Sequence, residues 1–388
     1  MSHLPYLTRV RESNWNRWIS RLLFTFMVIM QIIRVTTLVG QTADHWHQLF
    51  FHYGAFYVLV YCFLTKSFSK KELLIYGALF LFIFIQSRVH AFNHHFLYMI
   101  ACNVLIKDEN IDWAIKKLFH LYTLAVTSVI LLSLAGVIAT VEVIRGGEIP
   151  RHSLGFLHPN TTSIMILVCF MIYLLSLKKS ISIRCLLFFS FAYAAILYFI
   201  DSRTPFLLLI LLVMYVILDK VINIRYGFID RRKTSIFATS LLGLSLGMIS
   251  YFGSKFFFAD NAFLNWMNRL LSFRLSLGQY FIQNYTMSFF GGDIVQSIEP
   301  WRVLDNGYLN TLFIWGPFYL MIVLLIIMTS TAFLQRRGFL YATIILCIFF
   351  VYGVSESIFM SLPFNPLLFL WGNNLGLKEN NGNYSNKK

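Results

Sequence analysis

The chain has 388 residues, of which 58% are apolar and only 13% are charged, and its formal net charge is +15. A soluble domain carries about 25% charged residues, so this composition excludes a soluble globular protein. The mean hydropathy of +0.67 and repeated apolar runs of roughly 15–25 residues predict an all-α, polytopic helical membrane protein.

Twelve apolar runs are the predicted membrane spans. They cover residues 21–40, 47–65, 72–87, 95–106, 117–139, 161–177, 184–200, 204–218, 235–251, 308–333, 339–355 and 358–371. If the N-terminus lies inside, the cytoplasmic connections hold 23 of the 32 lysines and arginines. The positive-inside rule then predicts that both termini are cytoplasmic. The positive charge is therefore a membrane-insertion signal, and we expect no nucleic-acid partner.

The predicted organisation is one integral membrane domain over residues 1–371, in contact with the lipid bilayer. Its external loops are 140–160 and 252–307, the latter before the tenth span, and an Asn-rich cytoplasmic tail over 372–388 is expected to be disordered. The five cysteines lie inside apolar runs without a pairing pattern, so they are expected to be small core residues.

External cations differ in kind from internal ones. Seven of the eight are arginine, whereas lysine leads by thirteen to ten inside. Lysine and arginine serve equally well to set the membrane topology. Recognition of phosphate, however, favours the planar fork of donors that arginine supplies. The external arginines are Arg88, Arg145, Arg151, Arg203, Arg269, Arg274 and Arg302.

Two polar features of the first spans have ordinary explanations. Arg34 lies within the first span, where a charge is costly, and it is expected to reach the surface or to pair with an acid. His90 and His94 have the spacing of a metal pair on a helix, but no third ligand lies nearby. Because no paired-acid metal motif occurs either, we expect no metal and no cofactor.

Polar residues also flank the sixth, seventh and eighth spans. The connection VEVIRGGEIPRHSLGFLHPN contains Arg151, His158 and Asn160. Asn160 is predicted to cap the sixth span and to leave backbone N–H groups pointing outward, which would suit an anion. Asp201 and Arg203 lie in the short connection between the seventh and eighth spans, where they could pair with each other or serve a ligand.

The second external loop predicts an amphipathic helix followed by a polar cluster. In AFLNWMNRLLSFRLSLGQYFIQNY, apolar residues recur at three- and four-residue steps, which is typical of a helix in the membrane interface. Arg274 falls on the border between its two faces. The stretch GGDIVQSIEPWRVLDNGYLNTLFIWG then gathers charged and aromatic side chains before an apolar helix. They are Asp293, Glu299, Trp301, Arg302, Asp305 and Tyr308.

Three of these stretches together resemble the Wzy-type polymerases of O-antigen and capsular polysaccharide, which are related to the O-antigen ligases. The stretches are RHSLGFLHPN, SRTPFLLLILL and FRLSLGQYFIQN…FFGGD…LDNGYLNTLFIWG, within residues 150–320. The resemblance implies a metal-independent glycosyltransferase at the outer face of the bacterial inner membrane. It would move a growing glycan from undecaprenyl pyrophosphate onto the free sugar end of a lipid-linked oligosaccharide unit. A flippase and a chain-length regulator are the implied partners.

The resemblance also implies residue roles. Arg151, Arg203 and Arg274 match the family's external arginines that hold pyrophosphate. The ligase relatives carry a histidine near the acceptor, whereas DNGYLN here offers Asp305, with Asn306 beside it. Further candidate residues for binding the substrate are Arg88, Asn160, Arg302 and Tyr308.

The chemistry of the reaction fits these residue types independently. Breaking a glycosyl–pyrophosphate bond builds negative charge on the leaving group, which a metal or clustered arginines must stabilise. The acceptor hydroxyl needs a base, for which Asp305 is the first choice and Glu299, Asp293 and His158 are the alternatives. A single displacement would invert the anomeric carbon, a two-carboxylate route would retain it, and the sequence leaves both open.

Two other functions compete with polymerisation. A lipid-linked oligosaccharide flippase would place charges near the membrane midplane, often with internal repeats, whereas the charges here gather outside. A glycan ligase would use the same donor site, so the arginines do not separate it from a polymerase. Asp305 in place of the ligase histidine favours the polymerase.

Overall fold

A computed structural model describes residues 14–41, 44–89, 92–144, 150–177, 181–226, 231–292 and 304–376. The helices are α1 Asn14–Ile33, α2 Leu38–Gln41, α3 Asp44–Thr65, α4 Lys70–Val89, α5 His94–Ile106, α6 Ile111–Leu134, α7 Pro159–Ser176, α8 Ile183–Phe199, α9 Arg203–Tyr226, α10 Arg231–Lys255, α11 Ala262–Leu270, α12 Arg274–Asn284, α13 Gly307–Ile314, α14 Gly316–Arg336, α15 Ala342–Ser355 and α16 Gly372–Gly376. The strands β1 Glu142–Val143 and β2 Arg151–His152 form an antiparallel ladder.

The predicted all-α class is confirmed for the described residues, apart from this short ladder. Five helices there are long and apolar enough to cross a membrane, which indicates a membrane protein. They are α4, α6, α7, α14 and the Arg203–Val221 part of α9. The shorter helices α5 and α15 are apolar as well. The number of twelve spans and their orientation remain predictions.

The centre of the fold consists of α5, α7 and α15, whose side chains are buried on nearly all sides. Such helices are apolar all round because every face contacts another helix. The outer helices α3, α4, α8 and α9 instead expose large apolar side chains, among them Leu74 and Phe191. An apolar surface of this extent suits contact with lipid tails rather than with water.

The five cysteines are all free in the structure. Cys62, Cys102 and Cys169 are buried, as the sequence predicts, and Cys347 is partly buried. Cys185 is exposed, which corrects the prediction that all five are core residues. It lies at the start of α8, a helix whose outer face is not covered by other helices.

Two ion pairs connect helices on the side of the fold predicted to face the cytoplasm. Arg21 in α1 donates to Glu109, which precedes α6, at 2.7 Å. Lys107, after α5, lies 3.1 Å from Glu72 at the start of α4. At its other end α1 runs into a segment that contacts the loop before α7, where Thr37 N donates to Gly155 O at 2.9 Å.

The run predicted as one tenth span is broken into α13 and α14 between Trp315 and Gly316. Gly316 has a φ of +85°, and the break packs against the backbone of Gly291, which has a φ of +92°. A Cβ on Gly291 would lie 2.1 Å from Ile314 O. Gln86 Nε2 donates to Trp315 O at 2.9 Å. The carbonyl of Trp315, which would accept a backbone hydrogen bond in a continuous helix, therefore accepts one from a side chain instead.

Gly291→Ala is expected to destabilise the protein by about 2 kcal/mol or more, because alanine meets both a backbone clash and a positive φ. The measurement is the thermal midpoint of the purified protein in detergent. Gly77→Ala is the matched control, since Gly77 lies in α4 with nothing within 4 Å of the added Cβ. An equal midpoint for Gly291→Ala and Gly77→Ala would contradict this packing account.

The predicted twelfth span, residues 358–371, is not an α-helix. It contains the 3₁₀ turns Ser357–Met360, Leu362–Phe364 and Pro366–Phe369. The irregular backbone is buried against other helices: Tyr122 Oη donates to Pro363 O at 2.9 Å and Asn103 Nδ2 donates to Leu368 O at 2.6 Å. Irregular backbone at membrane depth is tolerated where protein groups satisfy it in this way.

The first residues of the predicted disordered tail are ordered. Gly372–Gly376 form α16, in which Gly372 N donates to Asn103 Oδ1 at 2.7 Å and Asn373 Nδ2 donates to Ile106 O at 2.7 Å. The predicted boundary at Trp371 therefore falls too early, because these polar side chains bond to helix-end carbonyls. The rest of the predicted tail, residues 377–388, lies outside the described residues.

Candidate functional site

The start of α7 is organised by His158 rather than by Asn160. Pro159 is the first helical residue, and its fixed φ suits that position. His158 Nδ1 accepts from Asn160 N at 3.0 Å, while Thr161 N and Thr162 N donate to His158 O at 3.0 and 3.2 Å. The prediction that Asn160 caps this helix is wrong. These three amides are also occupied, so they do not form the anion site that the sequence suggested.

The ring of His158 is a poor candidate for the base. Burial, and secondly Arg151, lower the pKa of His158, which favours the neutral ring. Because Nδ1 accepts a hydrogen bond, the proton of the neutral ring is on Nε2. Neither nitrogen then has a lone pair to offer an acceptor hydroxyl. Its role is to hold the first turn of α7.

Arg151 is buried and links three elements. It lies in β2, where Val143 is its partner across the ladder. Its Nη2 donates to Asn160 Oδ1 in α7 at 3.0 Å, and its Nε donates to Ile200 O at 3.3 Å. Its Nε also lies 3.8 Å from Asp201 Oδ2 in the turn between α8 and α9. A predicted site residue is thus held in a fixed position by its neighbours.

Arg203 lies at the exposed edge of the same group. It is the first residue of α9, and its side chain is 71% exposed. Its Nε lies 4.0 Å from Asp201 Oδ1, and the other carboxylate oxygen of Asp201 faces Arg151. The pairing of Asp201 with Arg203 that the sequence left open is therefore present, although the contact is long and solvated.

Arg274 is positioned by a tight turn between α11 and α12. The predicted amphipathic helix is divided there, and Ser272 and Phe273 have φ values of 52° and 65°. Asn268 is buried, and its Oδ1 accepts from Leu275 N at 3.0 Å and Ser276 N at 3.1 Å, which caps α12. Residues with side chains are strained at positive φ. The turn fixes Arg274 as the first residue of α12.

The guanidinium of Arg274 faces two carboxylates and keeps one donor unused. Its Nη2 donates to Glu356 Oε1 at 3.3 Å and lies 3.7 Å from Asp305 Oδ2. Its Nη1 donates to Leu271 O at 3.0 Å. Its Nε is buried and has no hydrogen-bond partner among the residues that the structure describes. A buried donor without a partner is costly, and it is a feature that a bound ligand can explain.

Glu356 is the functional candidate that the sequence did not single out. It follows the last residue of α15 and is 8% exposed. Its Oε1 accepts from Asn160 Nδ2 at 3.1 Å as well as from Arg274. Burial and the nearby Asp305 raise the pKa of Glu356 to about 7, although Arg274, Arg151 and Asn160 act against this. The only feature of the sequence that could have indicated Glu356 is its position as a single acid at the end of an apolar run.

Asp305 completes the group from the segment before α13. Burial raises the pKa of its carboxyl, and Arg274 opposes that shift. Its side chain is 42% exposed, so an acceptor can reach it more easily than it can reach Glu356. A small apolar cluster of Phe281, Leu309 and their neighbours joins α12 to α13 and fixes the position of Asp305 relative to Arg274.

Asn306 and Tyr308, both predicted as site residues, make contacts that stabilise the fold. Asn306 Oδ1 accepts from Tyr308 N and Leu309 N, both at 3.1 Å, and Nδ2 donates to Val354 O at 3.1 Å. Tyr308 is fully buried, and its hydroxyl donates to Phe350 O at 3.0 Å. The first caps α13 and the second anchors α13 to α15, so neither side chain faces an open site.

The remaining predicted residues lie apart from this group or beyond the description. Arg88 is exposed at the end of α4, with its guanidinium 5.0 Å from the ring centre of Phe84. Outside the described residues lie Asp293, Glu299 and Arg302.

Seven residues thus form a continuous series of contacts, which we call the arginine–carboxylate chain. Its members in order of contact are Arg203, Asp201, Arg151, Asn160, Glu356, Arg274 and Asp305. It brings together three predicted arginines, Asn160 and the preferred base, which come from separate parts of the chain. Guanidinium groups can hold an anion there, and Glu356, with a pKa of about 7, can exchange a proton near neutral pH.

Within the described ranges, no group of three histidine, cysteine, aspartate or glutamate side chains is arranged to hold a metal ion. Comparisons with protein-family models, with curated proteins and with solved structures give no match to this chain.

Proposed function

We propose that this protein is a polysaccharide polymerase of the bacterial inner membrane. It transfers a growing glycan from undecaprenyl pyrophosphate to the free sugar end of a lipid-linked repeat unit, on the outer face of the membrane. The observation that carries the proposal is the arginine–carboxylate chain, in which Arg151 and Arg274 are buried around a shared network. Charged side chains buried in an apolar helical protein pair with one another and often mark a substrate site, which supports this assignment.

Pyrophosphate is the anion that suits this arrangement best. Arginine offers a planar fork of donors that matches phosphate oxygens, and the buried Nε of Arg274 lacks a partner among the described residues. During transfer the bond between the sugar C1 and the phosphate oxygen breaks, and its electrons stay on the pyrophosphate. Clustered guanidinium groups stabilise that growing charge more in the transition state than in the ground state.

Asp305 serves as the base in this proposal. The acceptor hydroxyl forms the new bond to C1 and passes its proton to the Asp305 carboxylate. Two observations support the choice over the alternatives: Asp305 is more exposed than Glu356, and the Nδ1 of His158 is occupied. Asp305 also lies beside Arg274, so the base and the pyrophosphate site are adjacent. The anomeric configuration of the product will separate inversion by one displacement from retention by a two-carboxylate route.

Deleting the gene and sizing the surface glycan tests the proposal. We expect single repeat units to remain on their lipid carrier while long polymer disappears, and the wild-type gene on a plasmid should restore polymer. Loss of a ligase would instead leave long polymer on the lipid, and loss of a flippase would leave single units inside the cell. Either of these outcomes would reject polymerisation as the function.

A further inference from the structure

The charges of the arginine–carboxylate chain balance when no ligand is present. Arg151, Arg203 and Arg274 supply three positive charges, and Asp201, Glu356 and Asp305 supply three negative ones when ionised. A pyrophosphate brings further negative charge into this group. A site with no net charge attracts an anion weakly, so binding would be favoured if one of the carboxylates became neutral.

Glu356 is the carboxylate that occupies the centre of the group. Its Oε1 accepts from Asn160 at 3.1 Å and from Arg274 at 3.3 Å, and Asn160 in turn accepts from Arg151 at 3.0 Å. Asp201 is half-exposed, so water solvates its charge. Asp305 is more exposed than Glu356 and farther from Arg274. An anion that contacts both buried arginines must therefore compete with Glu356.

We propose that Glu356 is an internal occupant of the anion site, whose negative charge a bound pyrophosphate replaces at Arg274 and Asn160. The inference rests on the proposed function, because it assumes that pyrophosphate is the ligand. The Glu356 side chain does not have to leave. Once protonated, its carboxyl can donate its O–H to a phosphate oxygen, which adds a donor to the site. Binding of the donor lipid is then accompanied by uptake of a proton.

The sign of the pH dependence follows from the groups that face Glu356. They are Arg274 of α12, Asn160 of α7, Arg151 of β2, Asp305 before α13 and Tyr352 of α15. In the empty site the pKa of Glu356 is about 7, and a bound pyrophosphate raises it by adding a negative charge nearby. Above about pH 7, Glu356 is therefore ionised in the empty site but still protonated when pyrophosphate is bound. Affinity should therefore fall as the pH rises above about 7.

Titration calorimetry on the purified full chain tests this. The probe is a short polyprenyl-pyrophosphate monosaccharide, a diester without an ionisable proton of its own near neutral pH. Titrations at about pH 8 in two buffers of different ionisation enthalpy give the number of protons taken up. We expect uptake of nearly one proton by the wild type, and an affinity that falls by up to about tenfold per pH unit.

Glu356→Gln removes the charge while keeping the shape of the side chain. This variant should bind without that uptake, more tightly than the wild type at about pH 8, and with an affinity almost independent of pH. Asp201→Asn is the matched control, since it removes an exposed acid of the same group and should retain the uptake. Equal uptake by Glu356→Gln and the wild type would overturn the inference.

The outcomes separate this inference from the proposed function. If the wild type binds the probe without taking up a proton, the role of Glu356 is wrong and the pyrophosphate site stands. This result needs no variant, so it holds even if Glu356→Gln fails to fold. If the wild type does not bind the probe at all, the proposed function fails, and the inference fails with it.

Discussion

Replacing Arg274 with alanine is expected to lower polymer formation by roughly 100-fold or more, the cost of losing one preorganised donor at a developing charge. Arg274 is 11% exposed, faces Glu356 and Asp305, and carries a buried Nε without a partner among the described residues. The substitution leaves a buried carboxylate beside a cavity. Glu356 can accept a proton there, because its pKa is already raised to about 7, so the protein should still insert and fold.

The measurement is the length distribution of surface glycan in cells that carry Arg274→Ala, with the amount of membrane-inserted protein determined in the same cells. Lysine at this position should restore little, because an ammonium lacks the planar fork of donors. Arg269→Ala is the matched control. Arg269 lies near the end of α11, before the turn that leads to Arg274, and its side chain is exposed. It is not part of the arginine–carboxylate chain. Wild-type polymer length in Arg274→Ala would reject the pyrophosphate site.

The arginines could be predicted because their residue type carries information that topology does not require. Lysine would serve an external loop as well as arginine does, and the resemblance of three short stretches singles out Arg151, Arg203 and Arg274 among the seven external arginines. The structure connects all three through shared neighbours. Arg88 has the same residue type and lies apart, so type alone was not sufficient.

Glu356 could not be predicted, because its importance depends on tertiary contacts. It lies 196 residues from Asn160 and 82 residues from Arg274 along the chain, and no periodicity relates the three. A lone acid after an apolar run is equally expected where a helix simply ends in water. Only the contacts of Glu356 with Asn160 of α7 and Arg274 of α12 show that this end is buried.

Hydropathy also misjudged the tenth and twelfth spans for a physical reason. An apolar run predicts burial, but it does not specify that the backbone remains helical. At the helix break Gln86, which is 229 residues away, donates a hydrogen bond to the carbonyl of Trp315, and in the last segment Asn103 plays the same role for Leu368. Side chains from distant helices replace the hydrogen bonds of a regular helix, and the local sequence does not reveal them.

Asn306 and Tyr308 show the opposite case. Polar residues in a stretch that resembles a catalytic motif were predicted to bind substrate. The structure uses the side chain of Asn306 to cap α13 and the hydroxyl of Tyr308 to bond a carbonyl of α15. Their position beside Asp305 still has a consequence for the site, because the cap fixes where the preceding residue lies.

Replacing Asp305 with asparagine is expected to stop turnover without weakening donor binding. Asparagine keeps the size of the side chain beside Arg274, but it cannot take a proton from the acceptor hydroxyl. Loss of a positioned base costs about 100-fold to 10,000-fold in rate. Removing the charge also relieves Glu356 of a nearby negative neighbour, so the pKa of Glu356 should fall and the empty site should change little otherwise.

Two measurements on the purified protein separate the role of Asp305 from that of Arg274. Binding of the polyprenyl-pyrophosphate monosaccharide should be at least as tight as in the wild type for Asp305→Asn and weak for Arg274→Ala, whereas polymer formation should be lost in both. Asp305→Glu should recover part of the rate, because a carboxylate returns at a slightly altered position. Normal polymer lengths in Asp305→Asn would exclude this carboxylate as the base. Glu356 would then be the nearest remaining acid, since both carboxylates contact the same nitrogen of Arg274.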